Sequence, residues 1–172
     1  MIIIITGASH TGKTILATKM AGKYNYPSIS IDLLKMGLIR SGYTDLTPLD
    51  DDKLTSYLWP VVREMIKTAV ENGQDLIVEG CYIPFDWRKD LEERYLKDIR
   101  FICLAMTDRY IDDHFDLIRE HASDIKSRLD DSDCTIDRIR QSNREYIEGF
   151  EKAGEKVTYI EEDYVGTTDS LL

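Results

Sequence analysis

An α/β fold, built on a five-stranded parallel sheet, is predicted by three features of the chain. Short aliphatic runs alternate with helical patterns along all 172 residues. Each of the five runs is followed by helix, an arrangement whose right-handed crossovers place helices on both faces of a sheet. Polar residues gather just after the runs, at the carboxyl ends of the strands, where parallel sheets bind ligands.

Met1 to Thr6 is nearly all β-branched, as a strand buried on both faces requires. A helix is predicted from about Gly12 to Lys23, with Ile15, Leu16 and Met20 inward. The turn Asn25-Tyr26-Pro27 leads to a second strand around Ser28 to Ile31. Asp32 stands at the end of that strand and is able to cap a helix over Leu33 to Arg40. Ser41 to Pro48 reads as loop, and Asp50 to Asp52 as the acidic start of a long helix. That helix ends at Asn72-Gly73, with Pro60 as a kink or boundary.

Leu76 to Glu79 is the third strand, Gly80 to Pro84 a loop, and Asp86 to Leu96 a short amphipathic helix. Ile99 to Ala105 is the fourth strand. Helices follow over Asp108 to His121 and Ile136 to Ala153, separated by the polar stretch Ser123 to Thr135. Lys156 to Ile160 is the fifth strand, before a polar tail. No repeat or composition break divides the chain, so residues 1–172 are expected to form one domain.

An apolar content of 42% with 31% charged residues fits a globular protein. No apolar run approaches the roughly 18 residues that cross a bilayer, so no membrane partner is expected. A net charge of −10 disfavours a nucleic-acid backbone as partner. Cys81, Cys103 and Cys134 are too few and scattered for a disulfide framework, which points to a reducing cytoplasm. The chain is expected as a monomer or a small homo-oligomer.

Gly7-Ala8-Ser9-His10-Thr11-Gly12-Lys13-Thr14 matches the phosphate-loop pattern G-x-x-x-x-G-K-[ST] in full. Gly7 and Gly12 allow successive N–H groups to surround a phosphate, and the helix that follows adds its positive end. Lys13 is placed to reach the β- and γ-phosphates, and the Thr14 hydroxyl to coordinate magnesium. The implied ligands are ATP and Mg2+. Ser9 and His10 occupy variable positions and tune the loop.

Glu79 ends an apolar strand, where an acid beside a phosphate loop can hold magnesium through water; its alternative is a helix-starting acid or a surface residue. Gly80 allows close approach of a ligand. Asp32 is a candidate to accept the proton of a phosphoryl acceptor, or else a helix cap. Arg119 borders the stripe Ile111, Phe115, Ile118 and Ala122. Arg140 and Arg144 flank the stripe Ile136, Ile139, Asn143, Ile147 and Phe150, while Arg138 points away. The first three are candidates to neutralise a transferring phosphoryl group. Arg128 is a lid candidate, with a solvated arginine as its alternative. Asp130, Asp131 and Asp133 lack the glycine and terminal glutamate of a calcium loop. His10, His114 and His121 have no zinc-ligand spacing.

The phosphate loop near the N-terminus, Asp32, Val78-Glu79-Gly80 and the arginine-bearing later helices together resemble the small phosphate-loop kinases. The adenylate-kinase-like group matches best, with 2-phosphoglycerate-kinase-like and zeta-toxin-like members as relatives. The resemblance runs over nearly the whole chain, and only the loop is highly specific. Ser30-Ile31-Asp32-Leu33-Leu34-Lys35 is similar to the family's T-G-D-M-L-R, with lysine for arginine. Glu79-Gly80-Cys81-Tyr82-Ile83 is similar to D-G-F-P-R without its arginine, and Ile118-Arg119-Glu120-His121 to the start of the lid with one arginine missing. These departures fall on the acceptor side and disfavour AMP.

The resemblance implies a three-layer phosphate-loop NTPase fold with strand order 2-3-1-4-5. It also implies an acceptor-binding helical segment at about 32–72 and a lid at about 119–140. The expected activity is transfer of the γ-phosphoryl of Mg-ATP to a small molecule, a nucleoside monophosphate or a phosphorylated or hydroxy metabolite. Lys13, Asp32 and Arg119 are the catalytic candidates. The loop with Arg140 and Arg144 is expected to hold nucleotide, Asp32, Lys35, Arg40 and Gly80 the acceptor, and Thr14 and Glu79 the metal. The rival readings are an ATP-binding NTPase switch read by a protein partner and a polynucleotide or nucleotide-sugar kinase. The N-K-x-D segment of guanine-specific switches does not occur here, and the acidic charge weighs against the polynucleotide.

Overall fold

The computed structural model describes residues 1–121 and 135–172. Five strands form one parallel sheet in the order β2-β3-β1-β4-β5, flanked by helices. They are β1 (Ile2–Gly7), β2 (Ser28–Ser30), β3 (Leu76–Glu79), β4 (Ile99–Met106) and β5 (Val157–Ile160). The helices are α1 (Lys13–Tyr24), α2 (Ile31–Arg40), α3 (Asp51–Glu71), α4 (Glu93–Leu96), α5 (Asp108–His121), α6 (Ile136–Lys152) and α7 (Tyr164–Asp169).

The chain divides into two compact units. One comprises residues 1–6 and 13–102, the other residues 7–12 and 103–172. In the first, β1 pairs in parallel with β3, Ile5 opposite Glu79, and β2 pairs with β3, Ser30 opposite Glu79. Ile2 to Ile5 are fully buried because a central parallel strand is covered on both faces. Leu16 and Met20 of α1 and Leu58, Val62 and Ile66 of α3 are buried at helical spacing. In the second unit β4 pairs with β5, Met106 opposite Ile160. Its core joins Met106 and Ile160 to Tyr110, Ile111 and Ile118 of α5 and Ile139 of α6.

Four boundaries depart from the sequence reading. The second helix begins at Ile31, so Asp32 lies in its first turn; Ser30, whose side chain makes no capping bond, holds the cap position. Ile31 is fully buried, and this favours winding the chain one residue after a three-residue edge strand. Pro60 neither ends nor divides α3, which runs through it with Leu58, Trp59 and Val62 buried. Packing of that face outweighs the single N–H that proline lacks.

Asp86 to Leu96 is not one helix. A 3-10 turn at Trp87–Asp90 is separated from α4 by extended Leu91. Buried Trp87 and Leu91 and the Trp59 indole, which donates to Asp90 at 2.7 Å, hold the break. The polar tail is α7, whose N-terminus is capped by Asp163 accepting from the N–H groups of Val165 and Gly166. Arg128, Asp130, Asp131, Asp133 and Cys134, with most of the expected lid, lie outside the described residues.

Candidate functional site

In the first unit, Lys13 opens α1 and is 7% exposed, and Thr14 follows it. The Thr14 hydroxyl donates to Glu79 Oε2 at 3.2 Å. Glu79 is buried at the end of β3, and its other oxygen, Oε1, has no hydrogen-bond partner among the described residues. A buried carboxylate oxygen left unpaired is costly. A hydrated magnesium ion would satisfy it, so Thr14 and Glu79 fit that metal. Among the described residues no three His, Cys, Asp or Glu side chains cluster as a metal cage. Magnesium needs none, since it takes one or two protein ligands together with phosphate oxygens and water.

Beside Glu79, Gly80 packs against the start of α2. A Cβ at Gly80 would lie 2.8 Å from Ile31 Cβ, so only glycine permits this approach. The Gly80 carbonyl accepts from the Thr6 hydroxyl at 2.9 Å, which ties the end of β3 to the end of β1.

Asp32 is ion-paired to Lys35 at 2.8 Å. Lys35 also donates to the Tyr82 hydroxyl, and Tyr82 donates to Asp51, each at 2.8 Å. Burial first, and then the Asp51 carboxylate, push the Tyr82 phenol well above its ordinary value. Arg40 is exposed at the end of α2 and takes no part in this cluster.

In the second unit lie Gly7 to Gly12. Gly7 is buried, and a Cβ there would overlap the Leu104 carbonyl oxygen of β4. Thr11 is buried and donates to the Ala8 carbonyl at 2.9 Å. Ser9 is exposed, and His10 has a left-handed backbone with φ 68°. Gly12 has φ 74°, and Tyr164 of α7 covers it: the ring occupies the place of a Cβ, and the hydroxyl donates to the Gly12 carbonyl at 2.8 Å. Burial raises the Tyr164 phenol's pKa, so it keeps the proton that it donates.

The arginines of α5 and α6 are placed differently from one another. Arg140 pairs with Asp112 and, at 3.2 Å, with Asp137. Arg144 pairs with Asp108. Asp112 and Asp108 both lie on α5, and they raise the pKa of the guanidinium each one binds. Arg119 is exposed, with its guanidinium 5.8 Å from the Phe115 ring centroid. Arg138 is exposed as expected.

Three residues of these clusters escape sequence reasoning. Tyr164 falls in what reads as a tail, although Asp163 one residue earlier is a capping signal for α7. Tyr82 stands in a stretch compared with a family motif and Asp51 among helix-starting acids, but no sequence signal pairs them, and only the fold brings them together.

No family model matches the chain, and no curated protein matches its sequence. Solved structures do. A gluconokinase from Sinorhizobium meliloti is similar with 17% identity and a TM-score of 0.56, over 99% of this chain and 88% of that one. A sugar kinase from a Janibacter species is similar with 16% identity and a TM-score of 0.56, over 99% and 91%. A shikimate kinase from Aquifex aeolicus is similar with 15% identity and a TM-score of 0.52, over 99% and 93%. At such identities the likeness concerns the fold: this chain has the fold of the phosphate-loop small-molecule kinases.

Proposed function

We propose that this protein is an ATP-dependent kinase that phosphorylates a hydroxyl group of a small molecule. The observation that carries the reading is the Thr14–Glu79 pair beside a complete phosphate loop, with Glu79 Oε1 buried and unpaired among the described residues. The three kinases that share the fold support it.

In this reading the backbone N–H groups of Gly7 to Thr14 bind the triphosphate, and the Lys13 ammonium neutralises charge on the transferring group. Thr14 and Glu79 would hold magnesium, which when bound would supply positive charge against the phosphates. Asp32 receives the proton of the attacking hydroxyl. Gly80 and the surroundings of Asp32 hold the acceptor, with Lys35 and Arg40 at its edge. Arg119 supplies a further cation, and Arg140 and Arg144 would do so by exchanging α5 carboxylates for phosphate. Lys35 is engaged by Asp32 and Tyr82, which favours a hydroxylated acceptor over a nucleoside monophosphate.

The test is transfer from labelled ATP to a panel of sugars, hydroxy acids, nucleoside monophosphates and nucleic-acid ends. Lys13→Ala is expected to lower transfer by about 10³-fold or more while the protein stays folded. Full activity in that variant, or slow hydrolysis with every acceptor refused, would overturn the kinase reading.

A further inference from the structure

A line of hydrogen bonds leads inward from Asp32. Lys35 Nζ, one turn along α2, donates to Asp32 Oδ1 at 2.8 Å. The same ammonium donates to Tyr82 Oη at 2.8 Å, and the Tyr82 proton goes to Asp51 Oδ1 at 2.8 Å. The line joins α2, the loop after β3 and the first turn of α3, all within the first unit. Tyr82 is 6% exposed and the Lys35 side chain 12%, whereas Asp32 keeps 37% of its side chain open to a ligand.

We propose that Tyr82 is a positioning residue for phosphoryl transfer: with Asp51 it fixes the Lys35 ammonium against Asp32, and so keeps that carboxylate ionised and aimed at the acceptor. The proposal rests on the reading of Asp32 as the group that takes the acceptor's proton. A lysine is a point charge on a flexible stem, and one acceptor alone leaves it several rotamers. Two acceptors on either side, one of them in the protein interior, select a single arrangement. The depth of Tyr82 keeps the phenol protonated, so the direction of the line does not reverse with pH.

Along the line from Asp32 through Tyr82 to Asp51, Lys35 is the cation. Lys35 lies on the same helix, Cys81 and Tyr82 on the loop after β3, and Asp51 on α3. Glu79 pairs across the sheet with Ser30, two residues before Asp32. Lys35 holds its ammonium against the Asp32 carboxylate, and without it there that carboxyl would hold its proton to higher pH.

The test follows the Asp32 carboxyl through its titration by 13C NMR in the full chain. Tyr82→Phe keeps the ring and changes no charge; it is expected to raise the Asp32 titration midpoint by about half a pH unit or more. Asp51→Asn, at an exposed position, is the second variant should Tyr82→Phe fold poorly. Removal of a nearby negative charge would lower the Asp32 midpoint on charge alone, whereas loosening of Lys35 raises it. A midpoint that is unchanged or lower in both variants overturns the proposal.

Kinetics with Mg-ATP and the acceptor panel separate it from the reading beneath it. Tyr82→Phe should lower kcat about tenfold and leave the ATP KM within about twofold. Asp32→Asn should lose transfer by about 10²-fold or more. An active Asp32→Asn enzyme removes Asp32 as the base. An inactive Asp32→Asn beside a Tyr82→Phe enzyme of normal kcat and unshifted Asp32 midpoint removes the role of Tyr82 alone.

Discussion

The Tyr164 hydroxyl donates to the Gly12 carbonyl at 2.8 Å, and its ring stands where a side chain at Gly12 would begin. The phosphate loop is thus held from its own C-terminal helix. Tyr164 also packs against the core of Ile111, Ile118 and Ile139, so the helices that carry the arginines share its support. Tyr164→Phe removes one hydrogen bond worth about 1 kcal/mol. The expected result is roughly fivefold weaker ATP binding with acceptor KM unchanged, measured by calorimetry and initial rates.

Gly7→Ala and Gly12→Ala should differ in kind. At Gly7 the added methyl meets the Leu104 backbone carbonyl, which has little room to yield. At Gly12 it meets the Tyr164 ring, a side chain that is able to swing away. Gly7→Ala is expected to lower the thermal midpoint by several degrees, at a cost of about 2 kcal/mol or more. Gly12→Ala should lose nucleotide binding with the smaller fall in midpoint. Thermal scans with and without Mg-ATP distinguish the two.

Asn143 is buried in α6, where its Oδ1 accepts the Met106 N–H at 2.8 Å and its Nδ2 donates to the Ile139 carbonyl at 2.9 Å. Asn143→Leu keeps the branching of the side chain but leaves the Met106 N–H without that partner. The expected loss is about 2 kcal/mol, read from chemical denaturation. No loss would mean that the site relaxes to pair that group elsewhere.

Asp50 binds the Thr47 N–H at 2.9 Å and hydroxyl at 2.8 Å, and Lys53 at 3.2 Å. The Thr47 N–H first, then the Thr47 hydroxyl and Lys53, hold its pKa down to about 2. The folded value lies below the unfolded one, so ionisation favours folding. That contribution is whole above about pH 4 and disappears as pH falls through about 2. Wild type should melt above Asp50→Asn at pH 6, with a gap that closes on acidification. A gap independent of pH would show that the charge is not what stabilises the turn.

The strands and the phosphate loop were legible because each has a local cause. Ile2 to Ile5 are apolar without interruption, as double burial demands, and the loop's fixed residues stand in sequence. The start of α2 was misplaced because Ile31 suits a strand by propensity, and its burial in the helix is decided by packing. The same holds for the break at Leu91, which depends on Trp59 more than thirty residues away reaching Asp90. Tyr82, Lys35 and Asp51 come from three elements, and no periodicity links them. Arg140 and Arg144 were readable as flanking a stripe, but their carboxylate partners on α5 were not.

Gly80 sets the spacing between the end of β3 and the start of α2. Its bare Cα lets the backbone beside Glu79 rest on Ile31, the neighbour of Asp32. The missing side chain acts as a gauge block between the two carboxylates, with no adjustable atom inserted. Larger residues at position 80 would spread that spacing, and under the proposed reaction they would lower transfer to every acceptor alike. Leu49 in the segment 41–50, by contrast, is 94% exposed and able to vary without disturbing the gauge.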